Sequence, residues 1–152
     1  MVGLLIAGCS GEDAPRDTGG KGHARVTKVT DGDTIHLGGL GSVRLIGIDT
    51  PEVYGGVKCF GREASRFAQR LLPLGTRVRY RVGVEERDRY GRLLAYVWLA
   101  DGRMLNRLLV EQGYAQPLTI PPNVDFADVF RAAARAARQA GRGLWRACGG
   151  TG

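Results

Sequence analysis

Residues 43–52 read VRLIGIDTPE and combine an apolar strand pattern with side chains that can do chemistry. Arg44 interrupts the apolar run, and Asp49, Thr50 and Glu52 follow it closely. The planar guanidinium of arginine suits a phosphate, whereas grouped carboxylate and hydroxyl oxygens suit a hard cation. The stretch therefore predicts a site where an anionic group meets a hard cation.

Three further segments carry similar charged and hydroxyl side chains. They are DGDT at 31–34, GREAS at 61–65 and DRYGRLLAY at 88–96. Asp-Gly and Tyr-Gly pairs favour turns, so the charged residues of the first and third segments are expected at the ends of strands. Whether these segments meet residues 43–52 depends on the elements that carry them.

Alternating and β-branched apolar residues predict five short strands, at 24–30, 33–37, 43–48, 76–84 and 93–99. Apolar stripes at helical spacing predict three helices, at 61–72, between the Asp101-Gly102 turn and Gly113, and at 124–140. One helix separates the third and fourth strands, and the other two follow the fifth. We therefore expect a mainly β fold of the α+β class, a small closed five-stranded barrel with about three helices packed on it.

The chain has 152 residues, is 43% hydrophobic and has a net charge of +7, from 22 Lys and Arg against 15 Asp and Glu. This length suits one domain with its own core, and the composition excludes a disordered or membrane-spanning class. The excess of arginine is compatible with a polyanionic partner, such as nucleic acid or an anionic membrane surface. We divide the chain into an N-terminal segment at 1–22, a folded domain at 23–148 and a tail at 149–152.

The N-terminal segment resembles the end of an export signal. Residues 6–9 read IAGC and are similar to the bacterial lipobox, although the apolar run at 2–7 lacks the length and basic flank of a signal peptide. This pattern predicts lipidation at Cys9 and a location in the bacterial cell envelope or exterior. The alternative is that the segment has no targeting function and the protein is cytoplasmic. In an exported domain, Cys59 and Cys148 would form a disulfide, whereas in the cytoplasm they would be two free thiols.

The order and spacing of the four charged segments resemble those of the staphylococcal-nuclease-like (thermonuclease) family, across residues 24–145. The resemblance implies an oligonucleotide-binding (OB) fold, which is a five-stranded barrel with three helices. It also implies a monomer that uses one Ca²⁺ ion to cleave the phosphodiester bonds of DNA and RNA. Single-stranded substrate would be preferred, and the products would carry 3′-phosphate ends.

The resemblance assigns roles to acidic and hydroxyl residues of the first two segments. Asp33 and Asp49 match the family's carboxylate ligands of calcium, and Thr50 matches the residue that binds the ion through its backbone carbonyl. Asp31 matches an acidic residue just behind these ligands, or it is only a turn former. Glu52 matches the glutamate that orients and deprotonates the attacking water.

The basic residues of the resemblance surround the phosphate. Arg44 and Arg92 match two arginines that bind it, and this role agrees with the charge that a phosphodiester gains in its transition state. Tyr90 matches a tyrosine near the nucleotide, and Arg89 matches the basic residue before it. As a structural alternative, Arg44 would only be the ion-pair partner of Glu52.

One stretch departs from the family pattern. Residues 116–122 read QPLTIPP and lack two tyrosines that stack on the nucleotide in the family's best-known member. Base stacking would then be weaker or come from Tyr54 or Tyr114. The alternative function is a non-catalytic OB-fold module that binds nucleic acid or protein, and a third possibility is a lipid-anchored structural protein whose nuclease residues are relics.

Overall fold

A computed structural model describes residues 20–149 of the chain. Within this range, no helix has both the length and the apolar character that crossing a membrane requires. The elements, in chain order, are β1 (Lys21–Val29), β2 (Thr34–Leu37), β3 (Gly41–Leu45), β4 (Ile48–Asp49), α1 (Gly61–Leu71), β5 (Arg77–Arg87), β6 (Leu93–Trp98), α2 (Leu105–Glu111), β7 (Gln116–Pro117), α3 (Ala127–Gln139) and α4 (Leu144–Ala147).

Five of the strands form a closed barrel in the order β1-β2-β3-β6-β5. All neighbours are antiparallel except β3 and β6, which pair in parallel with Arg44 opposite Leu94. On its other side Arg44 lies opposite Thr34 of β2. The parallel pair therefore brings the end of β3 next to the start of β6, so residues far apart in sequence meet at one edge of the barrel. The prediction of a five-stranded barrel with helices packed on it is confirmed.

The third strand is shorter than the sequence predicts because Gly47 bends the chain. Gly47 has a φ of 79°, and a Cβ atom there would collide with the ring of Phe130. Only glycine fits this backbone and this close approach. Ile48 and Asp49 consequently leave the barrel and pair with Pro117 and Gln116 in a separate two-stranded ladder.

The helices pack on the barrel through its large apolar side chains. Tyr96 and Phe130 are buried in the core, and the Tyr96 ring meets Phe126 edge-on at 4.8 Å between centroids. The last long helix begins at Ala127 and not at 124, because Phe126 has non-helical angles (φ −115°, ψ 17°). The short helix α4 follows it and was not predicted as a separate element.

A disulfide joins Cys59, in the loop before α1, to Cys148, just after α4, with 5.9 Å between the Cα atoms. The predicted lipid site Cys9 lies outside the described residues, as do almost all of the segment 1–22 and residues 150–152 of the tail.

Candidate active site

The turn between β1 and β2 is held together by the carboxylate of Asp31. One oxygen of this carboxylate accepts hydrogen bonds from the backbone N–H groups of Asp33 (3.1 Å) and Thr34 (2.8 Å). Burial, and then the charge of Asp33, raise the pKa of Asp31 above its ordinary value. Asp31 is thus a turn former, and it also adds negative charge behind Asp33.

Asp33 joins this turn to the chain after β4. Its Oδ2 atom accepts hydrogen bonds from the backbone N–H of Thr50 (2.7 Å) and from the Thr50 hydroxyl (2.8 Å), and the residue is 6% exposed. Gly32 permits the two segments to touch, since a Cβ atom at this position would lie 2.7 Å from the side chain of Thr50. Asp33 and Thr50 are therefore fixed relative to each other before any ligand binds.

Arg44 reaches from β3 into the same place and is 14% exposed at its side chain. Its Nε lies 3.3 Å from a carboxylate oxygen of Asp33, and its Nη2 donates to Asp49 at 2.9 Å. Its Nη1 donates to the carbonyl oxygens of Leu45 (2.7 Å) and Ile48 (2.8 Å), which fixes the plane of the guanidinium. The sequence suggested Glu52 as an alternative ion-pair partner of Arg44. In the structure the carboxylate partners of Arg44 are Asp33 and Asp49 instead.

Arg92 reaches the site from the turn between β5 and β6. Its Nη1 lies 3.3 Å from the Thr34 hydroxyl, and its Nε donates to Asp88 at 2.7 Å. The other oxygen of Asp88 accepts the backbone N–H groups of Tyr90 (2.9 Å) and Arg92 (3.0 Å). Burial alone raises the pKa of Asp88, but the hydrogen bonds from Arg92 outweigh it and leave that pKa below its ordinary value.

Asp88 is a positioning residue that sequence reasoning named only as part of a segment. Its carboxylate orders the turn and aims the Arg92 guanidinium at the same time. The sequence does indicate the turn-forming role of Asp88, because an Asp two residues before a Tyr-Gly turn is a common turn former. The contact with Arg92 follows from the turn geometry, which spacing alone does not give.

These side chains line one cavity of about 230 Å³, which we call the site cavity. Its wall contains four acidic residues and two arginines, namely Asp31, Asp33, Asp49, Glu52, Arg44 and Arg92. Glu52 is exposed, and its backbone carbonyl accepts the N–H of Lys58 at 2.9 Å, which closes the loop between them. The structure therefore brings together every residue to which the sequence assigned a calcium-binding or catalytic role.

The electrostatics of the site cavity favour a divalent cation. Four carboxylates face two guanidiniums, which leaves a formal deficit of two positive charges. Burial, and then the charge of Asp33, raise the pKa of Asp49, although Arg44 opposes this change. The part of this shift that comes from Asp33 is repulsion between carboxylates, and a bound cation relieves that repulsion.

The donor atoms fit calcium. Among residues 20–149, no three acidic, histidine or cysteine side chains lie close enough to form a metal cluster by themselves. The ligands predicted from the resemblance are the carboxylates of Asp33 and Asp49 and the carbonyl oxygen of Thr50, with water to complete the set. Ca²⁺ accepts such a mixed set of oxygen ligands, whereas a closed zinc site needs nitrogen or sulfur.

A second cavity of about 420 Å³, which we call the cleft, opens on the other side of the arginines and shares Arg44 and Arg92 with the site cavity. Tyr90 is 68% exposed and lines it, as do the exposed side chains of Leu118 (40%) and Ile120 (58%). The cleft thus joins an apolar surface to the charged space of the site cavity.

The tyrosines considered as substitutes for the missing pair do not line the cleft. Tyr114 stacks between Phe67 (4.0 Å between centroids) and Phe60 (5.3 Å) in the packing of α1. Tyr54 is exposed, and its hydroxyl donates to the Thr30 carbonyl at 3.1 Å. Tyr90 is the aromatic residue of the cleft, and the Arg89 side chain donates to its hydroxyl at 2.7 Å.

Comparison with known proteins identifies the family. Residues 42–147 match the family model described as staphylococcal nuclease homologue. The chain belongs to the staphylococcal nuclease family. It is 37% identical over 127 residues to a thermonuclease of Staphylococcus hyicus, and 39% identical over 126 residues to a thermonuclease of Staphylococcus intermedius. These matches cover 80% and 79% of this chain and 74% of each thermonuclease.

A longer relative contains a region similar to nearly the whole chain. Endonuclease YhcR of Bacillus subtilis (strain 168) is 35% identical over 148 residues, which is 88% of this chain and 12% of that protein. The named relatives are nucleases, and they support a nuclease activity for this member of the staphylococcal nuclease family.

Proposed function

We propose that this protein is a Ca²⁺-dependent phosphodiesterase that hydrolyses DNA and RNA, prefers single strands and leaves 3′-phosphate ends. The observation that carries the proposal is the site cavity, in which Asp33, Asp49, Glu52, Arg44 and Arg92 face one space of about 230 Å³. These residues come from the turns after β1 and β5, from β3, and from β4 and the chain that follows it. Keeping the charges of Asp33, Arg44 and Arg92 buried or half-buried beside further charged side chains is unfavourable unless a ligand uses them.

The two arginines bind and stabilise the phosphate. A phosphodiester carries one negative charge and gains more on its non-bridging oxygens as water attacks. Donors fixed in advance stabilise that charge more than the ground state. The carbonyl and carboxylate partners of Arg44, and the Asp88 carboxylate beside Arg92, hold the two guanidiniums in place.

Glu52 is the general base in this proposal. It lines the site cavity and is exposed, so water reaches its carboxylate. A carboxylate that accepts a proton from the attacking water contributes about 10²–10⁴-fold to a rate. The loop closed by the hydrogen bond from Lys58 fixes the backbone from which Glu52 reaches into the cavity.

Calcium would be held by the carboxylates of Asp33 and Asp49 and by the Thr50 carbonyl, with water completing its ligands. When bound, the cation supplies positive charge beside the phosphate oxygens and balances the excess of carboxylates. The hydrogen bonds from Thr50 to Asp33 preorganise these ligands.

The cleft would hold the nucleoside next to the scissile phosphate. Its apolar walls suit a sugar and a base, and the exposed Tyr90 ring would stack on a base in place of an arginine, since the Arg89 and Arg92 guanidiniums lie over it at 4.8 and 5.4 Å from the centroid. Stacking needs a base that has left its duplex, so single strands are favoured. Leu118 and Ile120 belong to the stretch that lacks the two tyrosines of the family's best-known member, so we expect weak discrimination among bases.

We infer a location in the bacterial cell envelope or exterior, with a lipid at Cys9, and a monomeric state. The disulfide supports the location, since such bonds persist in oxidising compartments. Fractionation of bacteria that express the full chain tests it: the protein should be in the membrane fraction, and Cys9→Ala should release it.

The function is tested by incubating purified protein with labelled single-stranded DNA, double-stranded DNA and RNA. Cleavage is expected with Ca²⁺ and should stop when EGTA is added and resume with excess Ca²⁺. Single strands should be cut fastest, and the products should be substrates for a 3′-phosphatase. Salt-sensitive binding without cleavage under Ca²⁺, Mg²⁺ or Mn²⁺ would instead establish the non-catalytic binding module.

A further inference from the structure

Six basic residues form two facing rows on one outer face of the barrel, and we call this set the basic ladder. Its rows belong to the antiparallel neighbours β1 and β5, and the opposite pairs are Lys21 and Arg81, His23 and Arg79, and Arg25 and Arg77. Five of the six are exposed, and the Arg81 side chain is 36% exposed. Like charges directly opposite each other on neighbouring strands destabilise a sheet. A bound anionic partner would offset that cost.

The basic ladder keeps most of its positive charge. Arg81 Nη2 donates to the Asp125 carboxylate at 2.8 Å. The ladder and Asp125 together have a formal charge of +4, from five lysine and arginine side chains and one carboxylate, with His23 counted as neutral. A surface of this kind attracts a polyanion.

A cavity of about 490 Å³, which we call the helix cavity, adjoins the basic ladder between β6, α2 and α3. Its apolar lining includes Trp98, Phe126 and Val129. Two of these residues also contact the ladder. The Arg79 guanidinium lies 4.1 Å from the centroid of the Trp98 ring, and the Arg81 guanidinium lies 5.2 Å from that of Phe126. The ladder and the helix cavity therefore form one continuous surface.

Two further arginines, Arg103 and Arg107, line the helix cavity, and the side chain of each is 56% exposed. Each already has a carboxylate partner, since Arg103 pairs with Asp101 at 2.8 Å and Arg107 with Glu111 at 3.6 Å. Exposed ion pairs are weak, so a phosphate can compete for either guanidinium. The excess of positive charge nevertheless comes from the ladder.

An apolar recess beside a row of cations suits single-stranded nucleic acid. Such a strand repeats a negative charge along its backbone, and its unpaired bases bind to aromatic and apolar surfaces. A volume of about 490 Å³ lies in the ordinary range for small-molecule sites, roughly 300–1,000 Å³, and has room for a base and its sugar. An anionic membrane surface would also match the charge of the ladder, but a flat layer of headgroups would leave the helix cavity unfilled.

This surface is separate from the candidate active site. Within residues 20–149, the lining of the helix cavity shares no residue with the site cavity or the cleft. Arg79 is nine residues before Asp88, so at roughly 3.3 Å per residue the two lie at most about 30 Å apart. In OB folds oligonucleotides usually bind at the second and third strands, and the ladder lies on β1 and β5 instead.

We propose that the basic ladder and the helix cavity form an exosite for single-stranded nucleic acid, in which phosphates contact the arginines of β5 and an unpaired base enters the helix cavity beside Trp98. The exosite binds a part of the strand that lies outside the catalytic centre. The inference rests on the proposed function for the identity of the polymer. It adds that a long strand binds more tightly than a short one that fills the catalytic centre alone.

The test is equilibrium binding in EGTA of oligonucleotides of about 4 and about 16 nucleotides, the limits of the site sizes known for OB folds. The long oligonucleotide should bind the wild type more tightly than the short one does. The logarithm of the affinity falls with the logarithm of the salt concentration, with a slope of about −0.7 for each phosphate contact to a single strand. Arg77→Gln combined with Arg79→Gln should therefore make this slope less steep by about 1.4 for the long oligonucleotide, and should leave the slope for the short one unchanged.

Abasic sites test the helix cavity. A long oligonucleotide that keeps its bases only in a run of about 4 nucleotides retains every phosphate, so its salt slope with the wild type should not change. Its affinity should fall at least about fivefold, because the base in the helix cavity is lost. This measurement needs no protein variant, so it decides the proposal even where a variant fails to fold.

Arg66→Gln combined with Arg135→Gln is the matched control. Both are exposed arginines of helices, α1 and α3, and belong neither to the ladder nor to the lining of the helix cavity. This variant loses the same charge and should keep the wild-type slope. The proposal is overturned if both double variants change the slope equally, which would show a general effect of net charge, or if abasic sites leave the affinity unchanged.

Vesicles of phosphatidylglycerol distinguish nucleic acid from a membrane surface. If the ladder variant loses vesicle binding but keeps the wild-type salt slope with the long oligonucleotide, the exosite is refuted and the ladder is a membrane-binding surface. The binding assay does not depend on catalysis. A wild type that cleaves no substrate with any divalent ion refutes the nuclease function, whereas the slope and the abasic result decide the exosite.

Discussion

Removal of the Cys59–Cys148 disulfide should strongly destabilise the domain. The bond joins residues 89 positions apart, so it constrains most of the unfolded chain. In the chain-entropy model a loop of this length corresponds to about 4.6 kcal/mol at 25 °C. A domain of this size has a free energy of unfolding of only about 5–15 kcal/mol. Replacing both cysteines by serine is therefore expected to remove a large fraction of the stability.

The assay is equilibrium urea unfolding of three variants, Cys59→Ser, Cys148→Ser and the double variant, followed by far-ultraviolet circular dichroism. Each change breaks the same bond, so the three should lose nearly equal free energies of unfolding, up to about 4.6 kcal/mol. Cys59 is exposed and Cys148 half-buried, so serine should add little cost of its own.

Reduction and thiol titration provide the controls. A reductant should destabilise the wild type as much as the double variant is destabilised, and should leave the double variant unchanged. The Cys9→Ala variant should show no reactive thiol before reduction and two after it, those of Cys59 and Cys148. A double variant within about 1 kcal/mol of the wild type would refute the reasoning, since that is the effect of an ordinary substitution.

Three further predictions follow from the site and the fold. Arg44→Lys keeps the charge but loses the planar fork, so kcat/KM on a single-stranded oligonucleotide should fall about 10²–10³-fold; a loss below about tenfold contradicts a role for the fork. Asp88→Asn should lower the free energy of unfolding at pH 7. The hydrogen bonds from Arg92 lower the pKa of Asp88 in the folded protein, so the stability that they contribute is complete above pH 3.8 and is lost as the pH falls below that value. The difference in free energy of unfolding between variant and wild type, measured with urea, should therefore narrow at low pH. A difference that does not change with pH contradicts the assignment. Gly47→Ala should cost about 2–5 kcal/mol, from the left-handed backbone and the clash with Phe130 together, and a urea midpoint equal to that of the wild type contradicts this.

The barrel and the site residues were predictable because both follow from local patterns. Strand alternation and turn pairs such as Asp31-Gly32 located the strands, and the family resemblance then assigned Asp33, Arg44, Asp49, Glu52 and Arg92. The structure places all five on one cavity. Each of these residues lies at a turn or at the end of a strand, where sequence signals are strong.

The features that the sequence did not predict depend on contacts between distant segments. Gly47 reads as one residue of an apolar run, and only its approach to Phe130 shows why the strand bends there. The partners of Arg44 and the burial of Tyr114 between two phenylalanines are likewise set by packing of separate elements. Spacing along the chain does not encode such contacts.

The central claim is that Glu52 takes a proton from the attacking water while the rest of the site binds the phosphate. It is tested most directly by the single-turnover rate of Glu52→Gln on a single-stranded oligonucleotide at saturating Ca²⁺, beside the wild type. The amide keeps the shape of the side chain but cannot accept the proton, so the rate should fall about 10²–10⁴-fold, while the oligonucleotide still binds. A variant that cleaves within about threefold of the wild-type rate would contradict the account, since a general base contributes at least about 10²-fold.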